Sequence, residues 1–196
     1  MNATTAAVPQ TSSGISNAKL GVWLFLASEI MLFSTLFTTY IVLRLSATSW
    51  PWGWTALNVP LGTLNTAILI TSSVTIVMAY ARAYDRDVAG FRKWMALTLA
   101  LSACFLVVKA FEYGHEFSLG IGPSTSVFYA VYFTMTGLHG LHIVGGIIVN
   151  SGLLYMSYRK DCWEDPLFLG RVEGAGLYWH FVDIVWIFLF PALYLL

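Results

Sequence analysis

Charge is the scarcest thing in this sequence. Ten acidic and ten basic side chains make up 10% of 196 residues, against 58% hydrophobic, whereas a soluble domain is normally about 25% charged. That shortfall excludes a water-covered globule and makes lipid the expected solvent. Formal net charge is zero, so nothing suggests a nucleic-acid or polyanion partner. Cysteine is nearly missing. Cys104 falls in an apolar stretch and Cys162 in a connecting loop, with no C-x-x-C, so both read as reduced and structural. Mid-span proline is missing as well: Pro60 and Pro191 lie near span ends, and no 20–50-residue repeat is visible. Residues 1–19 lack the basic start and short apolar run of a cleaved signal, and read as a short disordered tail.

What remains is a succession of long apolar runs. Five reach the roughly 20 residues needed to cross a hydrocarbon core about 30 Å thick. They fall at about 20–46, 58–81, 92–113, 125–157 and 174–196. Each is expected to be helical, because only a helix satisfies its own backbone where water is missing. The predicted fold is therefore all-α, a polytopic bundle of five transmembrane helices forming one domain over 20–196. Lys19, Arg82, Arg86, Arg92, Lys93, Arg159, Lys160 and Arg171 all fall on one side, while Arg44 and Lys109 fall at the other, at span ends. The positive-inside rule then puts the N-terminus in the cytoplasm and the C-terminus outside. The aromatic loop SWPWGW, residues 49–54, suits an interfacial tryptophan belt.

The few polar residues inside these spans carry the functional argument. An Asp at the centre of an inserted helix costs about 2.5–3.5 kcal/mol, so such groups normally face protein or trapped water and have partners. Asp183 and Glu29 each lie nine residues into their spans, about 14 Å deep at 1.5 Å per residue. Ser72 and Ser73 of the second span fall at a similar depth. The fourth span contributes His139 and His142, three apart and on one face, within the glycine-rich TGLHGLHIVGG; His180 and Asp183 repeat that spacing in the fifth. Two readings compete for the histidines. They are haem or metal ligands, or they belong to a buried hydrogen-bonded network of Glu29, His139, His142, His180 and Asp183, supported by Ser72, Ser73 and Trp179. Lone histidine pairs without cysteine or a second well-placed carboxylate are weak metal signals, so the network is favoured and no metal site is expected. At the outer end of the third span, Lys109, Glu112 and Glu116 share a face, as a salt bridge or a docking surface for a partner.

Five motifs, one per span and in order, carry a resemblance: GVWLFLASEIMLF (21–33), LNTAILITSS (64–73), KAFEY (109–113), TGLHGLHIVGG (136–146) and YWHFVDIVWIFLF (178–190). The sequence resembles subunit III of haem–copper terminal oxidases across residues 20–196, in the bacterial five-span form of cytochrome c oxidase subunit III. Mitochondrial-type members have seven spans, and the two missing here supply part of the wall of a lipid cleft. The resemblance implies a subunit with no redox centre of its own, haems and copper lying in partner subunits. It implies direct packing on subunit I, association with subunit II and further oxidase or supercomplex subunits, bound phospholipid, and support of sustained proton uptake in the aerobic respiratory chain. The expected location is the bacterial cell inner membrane. It also matches the family's buried glutamate to Glu29, its T-G-x-H-G-x-H histidines to His139 and His142, and its W-H-F-x-D to Trp179, His180, Phe181 and Asp183. A ubiquinol oxidase subunit III or a homologue associated with nitric oxide reductase is the alternative within the family. A membrane b-type cytochrome or a small proton transporter is the alternative outside it.

Overall fold

A computed structural model describes residues 17–196; the tail expected at 1–19 lies largely outside the described residues, and 17–19 already belong to the first helix. The described residues are helical and contain no strand. The helices are α1 (Asn17–Ser46), the short α2 (Gly53–Ala56), α3 (Val59–Tyr84), α4 (Val88–Ser118), α5 (Val127–Met156) and α6 (Pro166–Phe190). Five of them are long and apolar enough to cross a membrane.

These helices begin where the sequence provides caps. Asn58, Asp87, Ser126 and Asp165 each accept a bond from a backbone N–H in the first turn of α3, α4, α5 and α6, satisfying donors that a helix leaves orphaned at its start. Two helices outrun the apolar stretches. Because Asp87 and Asp165 set the starts, α4 begins at Val88 rather than about 92, and α6 at Pro166 rather than about 174. At its other end α4 continues to Ser118, five residues past the expected limit, and closes in a Schellman turn. Gly120 has φ +74°, Ile121 N–H donates to Glu116 O at 3.0 Å, and Gly120 N–H donates to Phe117 O at 3.0 Å. Pro191 ends α6 and opens one π turn, Pro191–Leu195, with Leu196 N–H reaching Pro191 O at 3.1 Å.

Consecutive long helices run antiparallel. The most extensive seam joins α3 to α4, α6 packs on α3 and α5, and α1 lies against α5 and α6. Two apolar cores fill the bundle. The larger gathers Trp179, Trp186, Tyr132, Phe105, Leu69 and Tyr194; the smaller, near the start of α4 and α6, gathers Phe91, Met95, Phe168 and Val172. Much of α1 is left uncovered, with Trp23, Leu24, Met31 and Leu45 all more than 60% exposed. In water such a face would drive aggregation; against hydrocarbon it is the required surface.

Candidate functional site

Three polar clusters inside the bundle take up most of the residues singled out in the sequence. The first joins α1 to α5. Glu29 Oε2 lies 2.7 Å from His142 Nε2, and the pair is only about 15% exposed. His142 Nδ1 lies 2.7 Å from Leu138 O. A carbonyl only accepts, so Nδ1 carries a proton and Nε2 is the atom that faces the acid. Glu29 and His142 thus share one proton, held as acid and imidazole or as carboxylate and imidazolium. Phe33 stands edge-on to the imidazole at 5.1 Å, and Tyr178 donates from α6 to His142 O at 2.9 Å, so three helices meet here.

The second cluster joins α3 to α6. His180 Nδ1 lies 2.8 Å from Ser73 Oγ, Trp179 Nε1 donates to Ser72 Oγ at 3.0 Å, and Trp186 Nε1 donates to Thr66 Oγ1 at 3.0 Å. Three hydroxyls on one helix thus receive three side chains of the other. Asp183 takes no share in these bonds. It is 4% exposed, and Ser73 neighbours it, yet neither carboxyl oxygen has a well-aligned hydrogen bond among the described residues.

The third cluster is the most densely bonded. Lys109 Nζ donates to Glu112 Oε2 at 3.1 Å, Tyr132 Oη at 3.1 Å and Tyr194 Oη at 2.8 Å. Both tyrosines in turn donate to Glu112 Oε1, from 2.7 Å and 2.5 Å. The ammonium is ringed by Tyr113, Tyr132, Trp186 and Tyr194, all with centroids within 5.5 Å, a cation–π cage in a dry site. Beside it Tyr113 bonds Thr136 across the α4–α5 seam.

Two sequence expectations change. The five-residue network at one depth is not a single network. Residues three apart on a helix differ by about 60° in azimuth, enough here to send them to different neighbours. His142 meets α1, while His139 turns toward α4 and α6, stacked on Trp186 at 5.1 Å and edge-on to Phe105 at 5.9 Å. His139 is fully buried, with neither ring nitrogen bonded among the described residues. His180 likewise meets Ser73 rather than Asp183. The second change concerns Lys109, Glu112 and Glu116, which form no outer docking face. They are 7%, 2% and 5% exposed. The ion pair exists, but inside: the extension of α4 to Ser118 puts Lys109 nine residues, about 14 Å, from the helix end.

The profile of Cytochrome c oxidase subunit III matches residues 3–196. The chain belongs to the cytochrome c oxidase subunit III family. It is 40% identical over 177 residues to cytochrome c oxidase subunit 3 of Thermostichus vulcanus, covering 90% of this chain and 86% of that one. Against cytochrome c oxidase subunit 3 of Bacillus sp. (strain PS3) it is 32% identical, covering 98% and 93%. It is also 34% identical to cytochrome bo(3) ubiquinol oxidase subunit 3 of Pseudomonas putida, covering 90% and 84%. The chain is thus an integral membrane subunit of a haem–copper oxidase of the respiratory chain.

Several polar residues of this family member lay beyond the sequence reading. Tyr132 and Tyr194 complete the Lys109 cage, and Thr75 bonds Thr98 at 2.7 Å across the α3–α4 seam. Tyr40 and Arg44 of α1 hold the carbonyls of Ala192 and Leu196. One signal was available: a lysine more than a helical turn inside an apolar span requires acceptors nearby, and one turn of α5 and the last turn of the chain each offer a tyrosine.

Proposed function

We propose that this subunit is the non-catalytic companion of the oxidase, docking on subunit I through its apolar helix faces and leaving electron transfer to haem and copper in subunits I and II. The pinning of the bundle supports this reading. Polar pairs join α1 to α5, α3 to α6, and α4 to α5 and the chain end, so Glu29, His142 and His180 are engaged in helix packing, while His139 stacks on Trp186. His142 has both ring nitrogens engaged, and His180 has one. The long uncovered faces of α1, α4 and α5 suit phospholipid and partner helices alike. We read residues 20–196 as a single membrane domain; the Lys/Arg asymmetry supports a cytoplasmic N-terminus and an outer C-terminus, and the bacterial relatives support an inner-membrane location. We take cytochrome c as the donor of the complex, with the quinol-oxidising form as the second reading because of the relative in Pseudomonas putida.

Glu29→Ala tests the role. The variant removes the bond of Glu29 to α5 and takes from His142 Nε2 its partner among the described residues, a loss of about 1.5–3 kcal/mol for a bond to a charged group. The purified complex is expected to keep its haem absorbance and initial turnover rate but to carry less of this subunit and to inactivate faster during sustained turnover. A missing haem band would instead make the chain a cofactor-binding subunit and sink the companion reading.

A further inference from the structure

A narrow groove of about 180 Å³ runs between α3 and α6. Ile76, Val77 and Leu177 form its walls, and Tyr80 and Glu173 line it toward the start of α6, where Lys19 of α1 pairs with Glu173 at 2.9 Å. His180, half-buried, stands two turns along α6 from Glu173 and lines the groove as well. From this histidine the polar contacts lead inward. Its Nδ1 bonds Ser73, and Ser73 neighbours Asp183, whose two oxygens are buried and unpartnered among the described residues. Burying an unpaired carboxylate is so unfavourable that such a group normally holds a proton, and an ionisable residue inside a membrane points to function by default, proton relays among the roles it serves.

We propose that Asp183 is a proton-binding site that exchanges with water through this groove, by way of His180 and Ser73. A proton enters at His180 Nε2, and the ring releases the proton on Nδ1 to Ser73 Oγ. The serine hydroxyl passes its own hydrogen to a carboxylate oxygen of Asp183. One O–H bond forms on the aspartate, the serine hydroxyl is renewed, and the imidazole is left as the Nε2–H tautomer. Release by the reverse path restores the first tautomer. The charged groups around the route are Glu173 of α6 and its partner Lys19 of α1; α3 contributes the phenol of Tyr80. The proposal goes beyond the companion role and does not depend on how the subunit assists its partners.

The test is infrared spectroscopy of the intact oxidase in lipid nanodiscs, switched from H2O to D2O. A carboxylic C=O band that shifts to lower frequency on deuteration is expected in the native complex and absent in Asp183→Asn. Gly176 lines the groove and an added Cβ there meets nothing within 4 Å, so Gly176→Leu is chosen to place a side chain in the groove. In Gly176→Leu and in Ser73→Ala the band should persist while its deuterium shift is lost on the native time scale, and Ser73→Thr should restore it. A band that survives Asp183→Asn, or native exchange in either blocking variant, overturns the proposal. Because the readout is one carboxyl group, its failure is distinguishable from a failure of the subunit to assemble.

Discussion

Lys109→Met is expected to destabilise the subunit by about 3–5 kcal/mol, the usual cost of removing one partner from a buried ion pair. The magnitude follows from what is left behind. Glu112, 2% exposed, would keep two tyrosine donors but lose its counter-charge, in a place where water cannot replace it. The ammonium also fills the space between four aromatic rings, which a methionine of similar length refills only in part. Glu112→Gln alone should cost a comparable amount, since it leaves the buried ammonium with neutral acceptors only and no counter-charge at its 3.1 Å contact. The double variant Lys109→Met with Glu112→Gln should cost clearly less than the sum of the two, because neither charge is then stranded. Denaturant titration of the detergent-solubilised chain, followed by tryptophan fluorescence, measures all three. Strict additivity would mean that the pair is solvated and that the cage is no unit.

Tyr194 couples this cluster to the chain end. It lies in the π turn that Pro191 opens and reaches both Lys109 and Glu112. Gly53 of α2 is pressed against the backbone of Leu193 and Tyr194, so that a Cβ there would collide with main-chain atoms. The loop between α1 and α3 and the last turn of the chain therefore hold each other. The sequence reading placed SWPWGW at an interface on its aromatics; Trp52 and Trp54 do stack, at 4.9 Å and half-exposed, with Arg44 over Trp52. It had no means of seeing that the glycine between them is a packing point.

The contrast shows what a membrane sequence discloses. The number of spans and their helical state were legible, because hydropathy and backbone satisfaction leave one solution for apolar runs of this length. That Glu29, His142, His180 and Ser73 have polar partners inside the bundle was legible too, because each polar group in hydrocarbon needs one. Which partner each one meets was not. Partners depend on azimuth around each helix, and in helices apolar on every side no periodic stripe reveals it. His139 and His142 differ by less than one turn, yet one faces aromatic rings and the other an acid. Helix ends were similarly hidden where capping aspartates, Asp87 and Asp165, start a helix before the hydrophobic stretch begins. The matching error at the other end of α4, which runs on to Ser118, is what put Lys109 at a surface.

Trp179→Ala should rank with the Lys109 variant, at about 3–5 kcal/mol for truncating a buried tryptophan. The ring is fully buried, donates to Ser72, and lies over Gly146 of α5, where an added Cβ would come within 2.5 Å of Cζ3 and 2.7 Å of Cε3. The indole cannot retreat without breaking its bond to Ser72, so Gly146→Ala alone should destabilise by about 1–3 kcal/mol through overpacking. That glycine is therefore a seat for one ring rather than a source of flexibility. With Trp179→Leu already in place the ring atoms are gone. Gly146→Ala should then become neutral or favourable, because alanine is preferred to glycine in a helix by about 1 kcal/mol. Thermal melts of the four proteins of this cycle, in one detergent, give the coupling directly. An equal penalty for Gly146→Ala in both backgrounds would show that the α5–α6 seam is set by something other than the fit of Trp179 against a bare backbone.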